Sequence, residues 1–418
     1  MRCGTCMAHC PVYAELRQEG AVARGKLSLI RDQEAGRMPR GRRYRFFLSA
    51  CLQCGSCTAA CPNQVDTALV IQAGRARLAA ARESSWIGRF ITKKILPSER
   101  RLRRLLGLAR ASRALWAKKI PAQSGLHLRL RRGLDGQGRR IPEIAKTFFL
   151  QQKQPSPEPG AQRRVSLFVG CVANYLKPQV AQAAATVLTQ ANCAVDIPLG
   201  QGCCGLPAYG LGENEAAIEL AVRNLDALMP PGQTPPEVIT SPCASCAYML
   251  KKRMPGLLSA RPELHKRAQQ LAERVQPFSR LFTQLRADSA VVEKNQPENA
   301  PLLTFHDPCH LAKGLGERNA PRQLLGQLAG ARYVEMDQAD RCCGQGGSFC
   351  LSHQDLSEKI VSNKLSLAQK SGAEVLVTEC SGCLLQLSSA LWSEDSALEV
   401  ISTAEAALRY QSAKKSSM

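Results

Sequence analysis

Apolar and polar positions change period along the chain, and the changes divide it into three stretches. In the first 80 residues, helical spacing of Ala, Leu, Ile and Arg predicts helices over Ala23–Glu34 and Asp66–Ala81. A second stretch, about 84–163, carries Trp86, Ile87, Phe90, Ile91 and Ile95, then Leu102, Leu105, Leu106 and Ala109. Arg100, Arg101, Arg103, Arg104 and Arg110 fall between them, the pattern of a basic amphipathic helix. It closes in a polar, proline-containing linker from Gln151 to Arg164, a boundary signal.

The third stretch, about 165–410, runs through the same order of elements twice. In the first copy, strands are predicted at Val165–Val169, Ala194–Pro198 and Glu237–Thr240, with helices over Gln179–Gln190 and Asn214–Leu228, Asn214 serving as N-cap. In the second copy, strands are predicted at Leu302–Phe305, Arg332–Glu335 and Glu374–Thr378, with a helix over Asp355–Lys370. Alternation of strand and helix implies a small, parallel-rich α/β unit in each copy.

Composition narrows the class. A chain of 418 residues supports two or three domains, and 44% hydrophobic with 22% charged residues is ordinary for a globular protein. No apolar run approaches the ~18 residues of a membrane span, and the N-terminus enters Cys3 without a signal-peptide core. A cytoplasmic, reducing location is therefore expected, where closely spaced cysteines read as metal or redox sites. The net charge of +22 is concentrated: residues 82–140 hold 17 Lys/Arg against 3 Asp/Glu. That excess fits a solvated basic face, or a docking surface for anionic lipid or an acidic partner subunit at the inner face of the membrane. A nucleic-acid surface is disfavoured, because Trp86, Trp116 and Phe90 sit in no recognised binding module.

The cysteines carry the chemistry. Of nineteen, seventeen fall into two kinds of cluster. Near the N-terminus stand Cys3-x2-Cys6-x3-Cys10-Pro11 and Cys51-x2-Cys54-x2-Cys57-x3-Cys61-Pro62. The second run is the bacterial ferredoxin pattern, in which the fourth cysteine ligates the other cluster. One 4Fe–4S cluster is then expected on Cys51, Cys54, Cys57 and Cys10, and a second on Cys3, Cys6 and Cys61. The second is short of a ligand, since the full pattern places a cysteine three residues before Cys3; a start upstream of Met1 is the preferred explanation. A structural zinc pair, the rival, lacks the Cys-Pro punctuation.

Each later copy contains a lone Cys, a Cys-Cys-Gly and a Cys-x2-Cys. These are Cys171, Cys203-Cys204-Gly205 and Cys243/Cys246, then Cys309, Cys342-Cys343-Gly344 and Cys380/Cys383. The gaps agree, with 31 and 38 intervening residues in copy one and 32 and 36 in copy two. Cysteines where a strand feeds a helix meet backbone N–H groups and the positive helix end, which favour the ligating thiolate. His306 and His310 flank Cys309 and read as hydrogen-bonding neighbours of a centre rather than ligands. Cys193 and Cys350 lie outside the repeated spacing and read as small buried hydrophobes.

The repeats resemble the cysteine-rich domain of heterodisulfide reductases and their relatives, which implies that each five-cysteine set holds an iron–sulfur centre, cubane or non-cubane. The whole layout resembles the iron–sulfur subunits of glycolate oxidase and D-lactate dehydrogenases. Cys10-Pro-Val-Tyr13, Gly25-Lys-Leu-Ser-Leu-Ile30 and Cys342-Cys343-Gly-Gln-Gly-Gly-Ser-Phe349 with His353 and Asp355 carry that likeness. Gly170-Cys171-Val-Ala-Asn-Tyr175 is similar to the corresponding subunit of anaerobic glycerol-3-phosphate dehydrogenase. The resemblance implies a multidomain α+β and α/β fold. A helical dicluster ferredoxin-like domain (1–83) leads through a basic helical connector (84–164) to two α/β cysteine-rich domains (165–290 and 291–412). It also implies an FAD-containing partner that oxidises the hydroxy acid, with quinone as the acceptor. No P-loop is present, and the one G-x-G-x-x-G, Gly200-Gln-Gly202-Cys-Cys-Gly205, is taken up by the Cys203-Cys204 pair, so a flavin site is expected elsewhere. The rival is a catalytic, heterodisulfide-reductase-like subunit that binds a thiol substrate itself.

Overall fold

The computed structural model describes residues 3–112, 117–119, 128–130, 140–141, 143–152, 161, 163–288, 296–391 and 397–411. Trp116, His127 and linker residues 153–160 lie outside that set, as does most of the basic stretch beyond residue 112.

Two four-stranded parallel sheets organise the second half. The first contains β4 (Arg163–Leu167), β5 (Cys193–Asp196), β6 (Val238–Ser241) and β7 (Val275–Pro277), ordered β5-β4-β6-β7. The second contains β8 (Leu302–His306), β9 (Arg332–Tyr333), β10 (Val375–Thr378) and β11 (Glu399–Ser402), ordered β11-β10-β8-β9. Matching β4 to β8, β5 to β9, β6 to β10 and β7 to β11 gives the same strand order in both, so the repeat is structural. The central strands read as apolar runs because helices cover both faces; all four residues of β6 and of β10 are buried.

Most expected elements lie within two residues of their observed bounds. The helix Asn214–Leu228 has the expected ends, but Glu213 occupies the cap position and Asn214 is the first helical residue. The Asn214 side chain instead accepts a hydrogen bond from Gln72 at 2.7 Å. β9 stops at Tyr333, two residues early, because it pairs only with β8 at the sheet edge.

The N-terminal part is helical: α1 (Thr5–His9), α2 (Pro11–Leu16), α3 (Ala23–Glu34), α4 (Arg42–Ser49), α5 (Ser56–Ala59) and α6 (Thr67–Ala80). Asp66 caps α6 by accepting from the Leu69 N–H at 3.0 Å. The connector continues as α7 (Trp86–Phe90), a π-helical turn to Ile95, and α8 (Glu99–Ala111) beyond Pro97. It is not helical throughout. Beyond α8 lie three short antiparallel strands, β1 (Ala117–Lys119), β2 (Leu128–Leu130) and β3 (Arg140–Ile141). The sequence around β2 alternates, Leu126, Leu128 and Leu130 with His127 and Arg129 between, which is the two-residue period of a strand.

The three parts touch where the cysteines are. A shared core joins Val12, Phe47, Leu52 and Cys54 to Cys342, Phe349 and Ile360. Arg75 of α6 donates to the carbonyls of Leu48 and Cys51 and, at 2.7 Å, to that of Gly210 in the first repeat. Gly212 permits this approach: a Cβ there would stand 2.4 Å from the Arg75 backbone. Between the repeats, the Ala244 N–H donates to the Glu379 carbonyl at 2.6 Å.

Candidate metal centres

The strands place the repeat cysteines at their C-terminal ends, where the chain turns into helices. Cys243 caps the helix Ala244–Tyr248, and Cys380 caps Ser381–Ala390. The Cys-Cys loops are held from below. In the first repeat the Asn224 amide accepts from the Gly202 N–H at 2.9 Å and donates to the Cys203 carbonyl at 2.8 Å. In the second, Lys364 donates to the carbonyls of Gln338 and Ala339, both at 2.8 Å. Gly205 and Gly344 turn these loops at φ +91° and +84°. At Gly344 a Cβ would also meet the Ser357 carbonyl oxygen at 2.8 Å, so a side chain is excluded twice.

Within each repeat the five sulfurs gather into one group, buried except for the partly exposed Cys171 and Cys309. Cys171 hydrogen-bonds Cys203, Cys203 bonds Cys204, and Cys204 bonds Cys246, which bonds Cys243. The second repeat follows the same path: Cys309 to Cys342, Cys342 to Cys343, and Cys343 to Cys383 at 3.2 Å, with Cys380 beside Cys383. Three repeat thiols are acidic: Cys204, its equivalent Cys343, and Cys243, which hydrogen bonds from Cys246 and Cys380 hold well below the usual thiol range. Hydrogen bonds from Cys203 and Cys246 hold Cys204 down to about 6, and those from Cys342 and Cys383 hold Cys343 well below the usual thiol range. Their neighbours Cys171, Cys246, Cys309 and Cys383 are pushed up, first by these same bonds and then by burial.

Four of the seven N-terminal cysteines line one cavity. Cys10, Cys51, Cys54 and Cys57 surround a small cavity with Pro11, Lys26 and Ile71. Their mutual repulsion adds to burial, which pushes Cys10 up to about 11 and Cys57 up to about 12. Backbone N–H groups of Tyr13 and Gln53 donate to Cys10 and Cys51, each at 3.4 Å. For Cys3, Cys6 and Cys61 the structure shows helix packing: α1, which follows Cys3, lies against α5, which leads to Cys61.

The groups are not separate. Cys54 hydrogen-bonds Cys342 of the second repeat. Cys380 hydrogen-bonds Cys243 of the first repeat, and the Ser381 N–H donates to Cys243 at 3.4 Å. Ser245 bridges the same junction, 3.1 Å from Cys380 and 2.8 Å from the His310 Nδ1. An unbroken succession of sulfur contacts thus runs from the Cys10–Cys57 set through the second repeat into the first.

Sequence reasoning missed the groups that brace this path. Lys313 donates to Ser56 at 2.8 Å and to the Asp340 carbonyl at 2.7 Å, setting its ammonium near Cys54. Lys26 donates to the Ala21 carbonyl beside Cys10. Both Lys26 and Lys364 occupy the buried stripe of their helices, a visible signal. The cations set against the thiols include Lys26, Arg75, Lys313 and Lys364, whereas Arg100, Arg101, Arg103 and Arg104 lie on an exposed helix. Cys193 and Cys350 are buried, Cys193 in the core under the first sheet.

Glu379 was also unforeseen. Burial pushes its carboxyl up to about 8, with the Ser279 N–H at 3.2 Å as partner. An acid raised in the fold contributes stability below its unfolded pKa, and that contribution is lost as pH climbs through about 8. The thermal midpoint should therefore fall between about pH 6 and about pH 9 by the equivalent of ~3 kcal/mol. Glu379→Gln should flatten that slope in a pH series of melting curves.

Buried thiols converging at contact distance, with N–H donors aimed at sulfur, fit a soft-metal or iron–sulfur group. Adjacent cysteine pairs in a five-sulfur set do not fit the four-ligand tetrahedron of structural zinc. Comparison with known proteins agrees. Residues 1–65 match the 4Fe-4S dicluster domain family, and residues 165–251 and 303–388 each match the cysteine-rich domain family. The chain is 27% identical over 395 residues to the probable glycolate oxidase iron-sulfur subunit of Bacillus subtilis (strain 168), covering 93% of this chain and 87% of that protein. It is 25% identical over 398 residues to a fumarate reductase (CoM/CoB) subunit of Methanothermobacter marburgensis, covering 94% and 68%. Lactate utilization protein A of Bacillus subtilis (strain 168) is 30% identical over 242 residues, 58% of this chain and 98% of that protein. With nearly all of that relative spanned and the cysteine-rich domain matched twice, this chain belongs to the iron–sulfur subunit family of the glycolate oxidase and lactate utilization proteins.

Proposed function

We propose that the chain is the electron-transfer subunit of a flavin-dependent 2-hydroxy-acid dehydrogenase acting on glycolate or D-lactate. It receives electrons from an FAD-carrying partner and passes them towards quinone. The observation that carries this reading is the sulfur path from Cys54 through Cys342, Cys343, Cys383 and Cys380 to Cys243. Such continuity suits a relay better than a single catalytic pocket.

In this reading, Cys10, Cys51, Cys54 and Cys57 hold one 4Fe–4S cluster, and Cys3, Cys6 and Cys61 are ligands of another. The five-cysteine sets of residues 171–246 and 309–383 each hold a further iron–sulfur centre. The parts are a dicluster domain to residue 83, a connector to 164, and repeats divided near 290. Iron–sulfur clusters take up and release electrons one at a time, which a two-electron flavin donor requires. The chain's own residues exclude water by burial, and aim N–H groups and the charges of Lys313 and Lys364 at sulfur. The N–H groups and lysine charges favour the reduced, more negative state, whereas exclusion of water opposes it.

The test is reconstitution with an FAD-dependent hydroxy-acid oxidase. Glycolate or D-lactate should reduce the chain's iron–sulfur signals only when that flavoprotein is present. Reduction of a disulfide by the chain alone from a low-potential donor would favour the thiol-substrate reading, which the fumarate reductase (CoM/CoB) relative keeps open. Response only to a glycerol-phosphate flavoprotein would redirect the substrate.

The connector supports docking at the inner face of the cell membrane. No helix among the described residues is long and apolar enough to cross a bilayer. α7 and α8 instead expose Trp86 (70%), Ile87, Phe90, Leu105 and Leu108 (69%) beside arginines. Anionic vesicles should float the protein. Glutamine at Arg100, Arg101, Arg103 and Arg104 should weaken binding by about 1 kcal/mol each. Binding indifferent to anionic lipid would leave partner docking as the role of this face.

A further inference from the structure

We propose that His306 is a nitrogen ligand to the iron–sulfur centre of the second repeat, giving that centre a mixed sulfur–nitrogen ligand set. This rests on the reading that the repeats hold iron.

His306 ends β8, level with Thr378 at the end of β10, so it lies where both strands deliver cysteines. It is fully buried. A ring nitrogen of His306 and the sulfurs of Cys343 and Cys383 all lie within 4.8 Å of one another, close enough to converge on one ion. Neither ring nitrogen meets full hydrogen-bond geometry among the described residues, and the Ala339 carbonyl lies beside one of them. A neutral imidazole has one N–H, which that carbonyl can take, and one lone pair, which burial leaves without a partner. A bond to iron would use that lone pair.

The first repeat supplies the control within the same chain. Phe168 stands three residues before Cys171, as His306 stands three before Cys309, and Phe168 is also fully buried. A ring at this point satisfies packing, and phenylalanine does so without orphaned polar atoms. The nitrogens in the second repeat therefore answer a demand that shape does not make. His310, on the other side of Cys309, is already engaged: its Nδ1 meets Ser245 and its ring stacks on Tyr248 at 4.5 Å.

The consequence is an asymmetry between two otherwise matched centres. Imidazole is neutral and thiolate is anionic. Where nitrogen takes a position that sulfur would fill, the potential of a cluster rises. The second repeat, which adjoins the N-terminal set through Cys54, would then differ from the first in spectrum and in potential.

The experiment uses the full chain purified without oxygen, with natural or 15N-labelled histidine. Pulsed electron paramagnetic resonance should show the strong coupling of a histidine nitrogen bonded to iron. That coupling should be lost in His306→Phe and kept in His265→Gln, whose ring hydrogen-bonds the Pro255 carbonyl instead. An anaerobic crystal structure of the unaltered chain decides independently of folding in the variant, with a His306 nitrogen at ~2.0–2.1 Å from metal expected. Iron in the second repeat held by cysteines alone, with only weak nitrogen coupling, would overturn the assignment and leave the relay intact. Repeats without iron would overturn both.

Discussion

Replacing Cys343 with alanine is expected to empty the second repeat of iron and to stop electrons crossing the chain. Cys343 contacts Cys342 on one side and Cys383, at 3.2 Å, on the other, so its loss cuts the sulfur group at its middle. It is also the thiol of that repeat that hydrogen bonds from Cys342 and Cys383 hold well below its ordinary range, which favours the ligating thiolate. Losing a partner one shell out from a metal typically costs 10–100-fold in affinity, and loss of a ligand should exceed that. Iron per chain should fall by one centre. In the proposed relay, turnover from flavoprotein to quinone should fall to background, because the sulfurs of the second repeat lie between Cys54 and Cys243. Cys193→Ala, in the core away from these groups, should cost about 1 kcal/mol and leave iron unchanged.

Removal of iron by a chelator, under reducing and anaerobic conditions, is expected to have the largest effect on stability. The ten repeat cysteines form two sulfur groups that metal would bridge and that, stripped, are left as crowded thiols of opposed acidity. Structural metal in small domains contributes on the order of 10 kcal/mol, comparable with the whole stability of a domain. The strand ends and Cys-Cys-Gly loops should lose their hydrogen-exchange protection first. The far side of each sheet, packed through Val165, Leu167, Leu303 and Phe305, should hold longer. Retention of loop protection after complete iron removal would show that packing alone holds these loops.

Much of this was legible because it is local or repeated. The apolar runs at Val165 and Leu302 became the inner strands of two matching sheets, and the helix at Ala23–Glu34 appeared with the expected ends. The cysteine spacing foretold which sulfurs gather within each repeat. What spacing could not convey is contact across large separations. Cys54 meets Cys342, Cys243 meets Cys380, and Arg75 meets Gly210 through tertiary packing that leaves no periodic trace. β1 to β3 lie in a stretch whose arginine density and upstream apolar spacing read as a basic helix, although Leu126, Leu128 and Leu130 alternate with polar residues. Glu379 was invisible for another reason: only its complete burial makes a glutamate behave as a neutral acid. Lys364 was open to detection, as a lysine on a buried helical stripe.

The central claim is that metal-bound sulfur runs continuously from the N-terminal set into both repeats. Stepwise reduction of the anaerobic chain, followed by electron paramagnetic resonance with iron and sulfide counted in the same sample, tests it most directly. The account predicts iron and sulfide in excess of two clusters. It also predicts signals broadened by neighbouring spins, which sharpen to those of the N-terminal clusters alone in Cys343→Ala. Isolated N-terminal signals in the unaltered chain, with the repeats holding zinc or no metal, would contradict it.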